Sequence, residues 1–394
     1  MHAPRRTAWV PSPVLAVLAV LAWCLVPATA FAAGVHAELV TIGPGSDDLS
    51  LYGHSALCLV PEGSPEGRCY DFGVPGGEGD ADQLVWDTVR GRPRFVPIDV
   101  ERSLLVATFE DMERTLWVQE LPLDERQVTE LQASLEAAVA SHEPYAYHPY
   151  YDNCTPRLRD LLDKVTSGKL HDGADVPASG PRFRALSEQG FSGHMFELAG
   201  LTLFLGARAD RQPTAWEAMF LPVGLRDAVA ARLGVPPKQI YERREAVVPR
   251  SVQAGRVALV FLGVLLAGAI AYASRKSPRA LRVAMGFAGL LLGLLGLTVD
   301  AVWLVTRIPE LAGNWVALVL LPTDVLLAFA PARVLPRYLA ARLGMLALLA
   351  VLSATGIVAQ PLVAVCVFAA LPLGAAYAFA RRRLRVASSP TPAA

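Results

Sequence analysis

The stretch DNCTPRLRDLLDKV at residues 152–165 places a thiol at the start of an amphipathic helix. Thr155 and Pro156 suit a first helical turn, where the N–H that proline lacks has no partner in any case. The leucines and the valine that follow recur at helical spacing and form one apolar side. A thiol at a helix N-terminus feels the positive end of the helix dipole, which lowers its pKa. Cys154 is therefore the candidate nucleophile; the alternative is a buried structural thiol.

A cysteine nucleophile also needs a base and a group that orients the base. His54 begins one strand-like segment, and Asp71 lies in the next one along the chain. If these two strands pair with Cys58 opposite Cys69, Asp71 becomes a diagonal neighbour of His54 on one face of the sheet. The sequence therefore predicts a site in which His54 is the base and Asp71 orients it.

Three cysteines, Cys58, Cys69 and Cys154, lie between the N-terminal apolar stretch and the apolar C-terminal part of the chain. An exported compartment permits disulfides, and a bridge between Cys58 and Cys69 fits the proposed hairpin. Cys154 is then the odd, free thiol.

Composition separates the chain into an acidic part and an apolar, basic part. Of the 394 residues, 53% are hydrophobic and 18% charged, against about 25% charged in typical soluble domains. Residues 34–256 carry 22 Lys and Arg against 33 Asp and Glu, whereas residues 257–394 carry 12 against 3. The acidic part argues against a nucleic-acid partner. HExxH, paired CxxC and glycine-rich phosphate motifs are missing, so we expect no metal and no cofactor.

The first residues resemble an export signal. Arg5 and Arg6 precede the apolar run VLAVLAVLA, and Ala28-Thr29-Ala30 is a small-x-small cleavage site. We therefore predict a signal peptide over residues 1–33; an uncleaved anchor is the alternative.

Five apolar stretches after residue 256 are close to the length that spans a bilayer. They lie at about 257–273, 283–305, 315–330, 343–359 and 362–380, and Pro322 interrupts the third. The loops on one side, together with the tail, contain 11 Lys and Arg, and the loops on the other side contain one. Because basic loops favour the cytoplasm, the acidic part is expected outside the inner (cytoplasmic) membrane, in the periplasm.

The acidic part mixes strand and helix patterns, which predicts an α+β domain followed by an all-α membrane domain. Strands are expected at 36–42, 54–60, 69–74 and 94–100, with further strands within 103–120, and helices at 124–140 and 155–165. The predicted units are a signal peptide at 1–33, a periplasmic domain at 34–205, a connecting region at 206–255, a membrane domain at 256–380 and a basic cytoplasmic tail at 381–394.

Several residues around the nucleophile and the outer membrane surface are candidate substrate contacts. Tyr151, His148 and Asn153 directly precede Cys154, in an aromatic run that either lines an acyl-chain groove or packs the loop. Asp300 lies near the outer end of the second span, where a charged residue is costly and often functional. Its alternatives are contact with a lipid headgroup or an amine, and packing between helices.

These segments together resemble a known family. Gly-His-Ser-Ala (53–56), Tyr-Asp-Phe-Gly (70–73) and Asn-Cys-Thr (153–155) resemble the periplasmic domain of the bacterial lipoprotein N-acyltransferase family called Lnb. The order of histidine, polar residue and helix-start cysteine is similar to the circularly permuted papain-like thiol enzymes of the NlpC and lecithin:retinol acyltransferase groups. Residues 210–222 and Asn314-Trp315 resemble further stretches of the Lnb family, which makes Asn314 a candidate substrate contact.

The resemblance implies a permuted papain-like fold and an acyl transfer. Cys154 would take an acyl chain from a phospholipid as a thioester, and the amine of a diacylglyceryl lipoprotein would accept the chain. Two alternatives stay open: a hydrolase of the same fold that cuts peptidoglycan peptides, other amides or lipid esters, and a non-catalytic envelope scaffold. Five spans favour a lipid substrate, since a wall hydrolase needs at most an anchor.

Overall fold

The computed structural model describes residues 34–45, 50–64, 66–76, 86–91, 93–244, 251–331 and 333–387, with the backbone alone for 382–387. It shows an N-terminal α+β part that contains one sheet, followed by a helical part with five apolar segments long enough to cross a membrane. The predicted signal peptide and the end of the predicted tail lie outside these ranges.

The α+β part is built on one antiparallel sheet of seven strands in the order β6-β4-β3-β2-β1-β5-β7. The strands are β1 (Val35–Ile42), β2 (His54–Pro61), β3 (Arg68–Pro75), β4 (Arg94–Glu101), β5 (Leu116–Glu120), β6 (Tyr145–Ala146) and β7 (Lys238–Tyr241). In the β2–β3 hairpin Cys58 pairs with Cys69, which is the register expected from the sequence, and the two form a disulfide.

Helices cover both faces of the sheet. The helices of this part are α1 (Arg102–Asp111), α2 (Glu125–Ser141), α3 (Cys154–Val165), α4 (Phe183–Gly190), α5 (Met195–Phe204), α6 (Ala215–Ala218) and α7 (Pro222–Leu233). Alternate strand residues such as Leu39 and Leu57 pack with α2, α3 and α7. The disulfide and α1 lie on the opposite face. The nucleophile's helix α3 is thereby held in the main core.

The expectation of further strands within 103–120 is confirmed only for the second half of this segment. Residues 102–111 form α1, and only Leu116–Glu120 is a strand. Leu105, Val106 and Phe109 pack on the sheet at the spacing of one helical face. That spacing, rather than the alternation of polar and apolar residues, decides the structure here.

The helical part contains α8 (Ala254–Lys276), α9 (Pro278–Val305), a broken third span over Pro309–Ala328, α11 (Leu335–Ala354) and α12 (Val363–Ala387). Within the broken span, one turn of α-helix, α10 (Val316–Val319), is followed by a 3₁₀ helix at Pro322–Ala328. Pro322 begins the second piece because it has no N–H to continue the first.

Glycines on α9 allow the backbone of the broken span to pack directly against the backbone of α9. A Cβ atom on Gly289 would stand 2.4 Å from the carbonyl oxygen of Asp324, and one on Gly296 would stand 2.0 Å from that of Leu320. Arg342 is buried and also holds the broken span. Its guanidinium donates one hydrogen bond to each carboxylate oxygen of Asp324, at 2.8 and 2.6 Å. This buried ion pair joins the broken span to α11.

Replacing Gly296 with valine is expected to destabilise the membrane part. The added methyl groups meet backbone rather than a mobile side chain, and overpacking of this kind costs about 1–3 kcal/mol or more. Thermal unfolding of the detergent-solubilised protein, followed by size-exclusion chromatography, measures the loss. Gly268→Val is the matched control, since nothing lies within 4 Å of a Cβ there. Equal losses in both variants contradict the account.

The two outer loops of the helical part contact the α+β part. Gly206 donates its N–H to the carbonyl oxygen of Glu310 at 2.7 Å. Gln360 donates to the carbonyl oxygen of Leu205 at 3.0 Å, and Leu203 packs in the core of the membrane helices. These are the loops poor in Lys and Arg, so the arrangement agrees with a periplasmic α+β part. Helix α5, which was assigned to the periplasmic unit, shares its core with the spans.

Candidate thiol site

Cys154 is the first residue of α3, and Asn153 caps this helix. The Asn153 side chain accepts from the N–H of Thr155 at 2.9 Å and donates to the carbonyl oxygen of Pro149 at 2.8 Å. This is the standard N-cap arrangement, which explains the Asn-Cys pair in structural terms. Cys154 as a residue is half-buried. Both side-chain groups of Asn153 are engaged by backbone.

His54 and Asp71 lie together beside the thiol. The imidazole Nε2 is 2.9 Å from Oδ1 of Asp71, and the N–H of Gly73 donates to the same oxygen at 2.6 Å. The Cys154 thiol is close enough to His54 for each group to shift the pKa of the other. A Cβ on residue 73 would stand 2.4 Å from Cε1 of His54, so glycine is needed where the ring crosses β3.

The charges of the three groups favour a thiolate and an imidazolium. Burial raises the pKa of Cys154, but the adjacent His54 lowers it by more. The pKa of Cys154 therefore lies below its usual value. Burial lowers the pKa of His54, but the Asp71 carboxylate and the thiolate outweigh burial, so this pKa lies well above its usual value. The pKa of Asp71, which burial alone would raise, falls because of His54. The site can therefore present a nucleophile and a proton donor together.

The aromatic run before Cys154 packs the loop. Tyr145 donates its hydroxyl to the carbonyl oxygen of Phe72, and the ring of Tyr147 stacks on Phe95 at 4.3 Å. Tyr150 is buried in a small aromatic cluster with two phenylalanines, and its hydroxyl is 2.7 Å from that of Ser187.

His148 and Tyr151 face the membrane part. The hydroxyl of Tyr151 donates to Oε1 of Glu310 at 2.5 Å, and Nε2 of His148 is 3.8 Å from Oε2 of the same carboxylate. Arg211 donates to the Tyr151 oxygen at 2.9 Å and pairs with Glu217. The 210–222 stretch therefore helps to hold the loop that precedes the thiol.

The structure does not bring Asp300 or Asn314 to the thiol. Asn314 is buried; it donates to the carbonyl oxygen of Leu203 and accepts from Val316 and Gln360. Its contacts make it a joint between the two parts of the chain. Asp300 is half-buried on α9.

A cavity of about 590 Å³ lies at the far end of β2 and β3 from His54, where Leu59, Arg68 and Tyr70 line it. It is separate from the thiol site. In the ranges that the structure describes, no group of three His, Cys, Asp or Glu side chains could hold a metal ion.

Replacing Asp71 with asparagine is expected to weaken the nucleophile without removing it. An adjacent carboxylate raises a histidine pKa by about 1–3 units, and its loss makes the imidazolium and thus the thiolate less stable. We expect alkylation of Cys154 by iodoacetamide at pH 7 to slow roughly 10-fold, measured on the Cys154 peptide by mass spectrometry. The control is Asp99→Asn, which removes the surface partner of Arg68. An unchanged rate in Asp71→Asn contradicts the orienting role.

The chain thus combines an α+β part carrying a Cys–His–Asp cluster at a helix start with a five-span membrane part. Residues 28–188 match the family model described as the Lnb N-terminal periplasmic domain. The chain therefore contains this periplasmic domain, and the family resemblance expected from the motifs is confirmed over it. The match ends before the membrane helices. No curated protein and no solved structure matches the chain.

Proposed function

We propose that this protein is a membrane-bound thiol acyltransferase that modifies lipoproteins. In this proposal an acyl chain moves from a phospholipid to Cys154 and then to the N-terminal amine of a diacylglyceryl lipoprotein. The observation that carries it is the meeting of Cys154, His54 and Asp71 in an Lnb periplasmic domain that rests on five apolar segments. The permuted papain-like relationship and the inner-membrane location belong to the same proposal.

The first half-reaction forms the thioester. The Cys154 thiolate attacks the carbonyl carbon of the acyl ester, and negative charge develops on the carbonyl oxygen. The N-terminal end of α3 stabilises that charge through the positive end of its dipole. As the C–O bond breaks, the His54 imidazolium gives its proton to the departing glycerol oxygen. The products are acyl-Cys154, a lysolipid and a neutral imidazole.

The second half-reaction forms the amide. The neutral amine of the acceptor attacks the thioester carbonyl, and His54 takes the proton that the nitrogen loses. The C–S bond then breaks, so that Cys154 leaves as a thiolate beside a protonated His54. Asp71 holds the ring through both steps and stays ionised. If water replaces the amine, the same site is a hydrolase.

Mass spectrometry of a reporter lipoprotein tests the transfer. The reporter is expressed in a strain that lacks its own N-acyltransferase, together with wild-type protein or Cys154→Ala. Wild type alone is expected to add one N-linked acyl chain to the N-terminal peptide. If the reporter gains an N-linked chain but its total number of acyl chains is unchanged, the chain came from the reporter's own glyceryl group. The acyl donor would then be the lipoprotein and not a phospholipid. No N-acylation by a folded, inserted wild type contradicts the proposal and favours the hydrolase.

A further inference from the structure

A carboxylate from the membrane part is inserted against the loop that carries the nucleophile. Glu310 lies in a 3₁₀ helix at Pro309–Leu311, at the outer end of the broken span. Only 1% of its surface is exposed. A buried carboxylate is costly unless polar groups surround it, so its partners define what it does.

The strongest partner of Glu310 is Tyr151, three residues before the thiol. The Tyr151 hydroxyl donates to Oε1 at 2.5 Å and accepts from Arg211 at 2.9 Å. The pKa of this phenol is raised to about 12 by burial and by the Glu310 contact, so the hydroxyl keeps its proton and remains a donor.

His148 is the second side chain that faces Glu310. Its Nδ1 accepts from the N–H groups of Tyr150 and Tyr151 at 3.2 and 3.3 Å, which places the proton on Nε2. That N–H points to Oε2 of Glu310 at 3.8 Å, and both atoms are buried without a hydrogen-bond partner among the described residues. Glu310 therefore presents one oxygen to each end of a short turn.

This turn continues directly into the cap of α3. His148 and Asp152 close it through paired backbone hydrogen bonds at 2.7 and 3.3 Å. Asn153, which caps the helix, follows at once and is bonded back to Pro149 inside the turn. A displacement of the turn is thereby passed to the cap and to the thiol.

We propose that Glu310 is a positioning residue, through which the membrane part fixes the turn at 148–152 and so aligns Cys154 with His54. The nucleophile is then fully active only when the outer loop of the membrane part is in place. This proposal builds on the acyl-transfer function, but its first readout, alkylation of the thiol, is independent of any substrate.

The test is a double-mutant cycle in the full-length, detergent-solubilised protein. Glu310→Ala and Tyr151→Phe are each expected to slow alkylation of Cys154 by iodoacetamide at pH 7 about 5- to 10-fold, with the pH midpoint of the rate shifted upward. The double variant is expected to be no slower than Glu310→Ala alone, because both changes break one connection. Tyr151→Phe removes a single atom, so it keeps the test informative if Glu310→Ala folds poorly. In acyl transfer, kcat is expected to fall while KM stays unchanged.

The matched control is Glu188→Gln. Glu188 is also buried at the junction of the two parts, where it pairs with Arg256, but it does not contact the turn at 148–152. Alkylation slowed equally by Glu188→Gln overturns the proposal, and so do additive effects in the cycle or a change in KM alone. Wild-type protein that acylates no lipoprotein, yet shows the predicted alkylation cycle, refutes the proposed function and leaves the positioning role standing.

Discussion

Replacing Cys154 with alanine is expected to abolish N-acylation of a reporter lipoprotein, with a loss of roughly 10⁴-fold or more. The reason is that both half-reactions pass through the bond between the acyl carbon and this sulfur. His54 and the helix N-terminus can still bind and polarise a substrate, but they offer no nucleophile in its place. Membrane insertion and thermal unfolding are expected to stay close to wild type, since Cys154 as a residue is only half-buried.

The matched control is Cys366→Ala. Cys366 is the other free cysteine of the described residues, and it is buried among the membrane helices. This variant is expected to acylate the reporter at the wild-type rate. A Cys154→Ala protein that is inserted and folded but still acylates contradicts a covalent role for the thiol. It would support the scaffold alternative or a different nucleophile.

Replacing His54 with glutamine is expected to cause the second largest loss of acyl transfer. The loss follows from the charges at the site. In the wild type, the thiolate is present above the lowered pKa of Cys154, and the imidazolium is present below the raised pKa of His54. Acyl transfer should therefore be highest between the two values and fall on either side. Glutamine keeps a polar side chain but supplies neither positive charge nor a proton.

Without the imidazolium, the effect of burial on the thiol is no longer offset by an adjacent positive charge, so the pKa of Cys154 rises. An ordinary cysteine is only a few per cent thiolate at neutral pH. Alkylation of Cys154 at pH 7 should thus slow roughly 30-fold or more, recovering as pH rises. Acyl transfer should fall further, because the glycerol oxygen loses its proton donor.

His171→Gln is the matched control for this second prediction. His171 also pairs with an aspartate, Asp175, at 3.1 Å, but on an exposed surface. It is expected to change neither alkylation nor acyl transfer. A His54→Gln protein with the wild-type alkylation profile contradicts a thiolate–imidazolium pair.

Two parts of the thiol site, the helix start and the strand pairing, could be predicted from the sequence because both are local patterns. The helix that starts at Cys154 follows from Thr155, Pro156 and the leucines after them. The pairing of Cys58 with Cys69 fixes the hairpin, and the hairpin in turn sets Asp71 beside His54. Each step needs only helix spacing or strand register.

Contacts between segments that are distant along the chain could not be predicted from the sequence. Glu310 lies 159 positions from Tyr151, and nothing in the local pattern of either residue indicates the other. The position of Glu310 in an outer loop, and the rarity of acids after residue 257, indicate only that it lies near the periplasmic part. Asn314 was expected to contact substrate, but it bonds to Leu203 and Gln360, which only the folded chain brings near. Asn153 is predicted to contact substrate, and the structure shows that it also caps α3, as the N-cap rule indicates.

The central claim is an acyl thioester on Cys154. Its most direct test is to incubate the purified full-length protein with a phospholipid that carries an isotope-labelled acyl chain, quench in acid, and measure the mass of the Cys154 peptide. The account predicts a labelled acyl group on that peptide, which neutral hydroxylamine removes and which an added diacylglyceryl peptide takes up as an amide. Labelled amide product without any label on Cys154, or a hydroxylamine-resistant label on another residue, would contradict it.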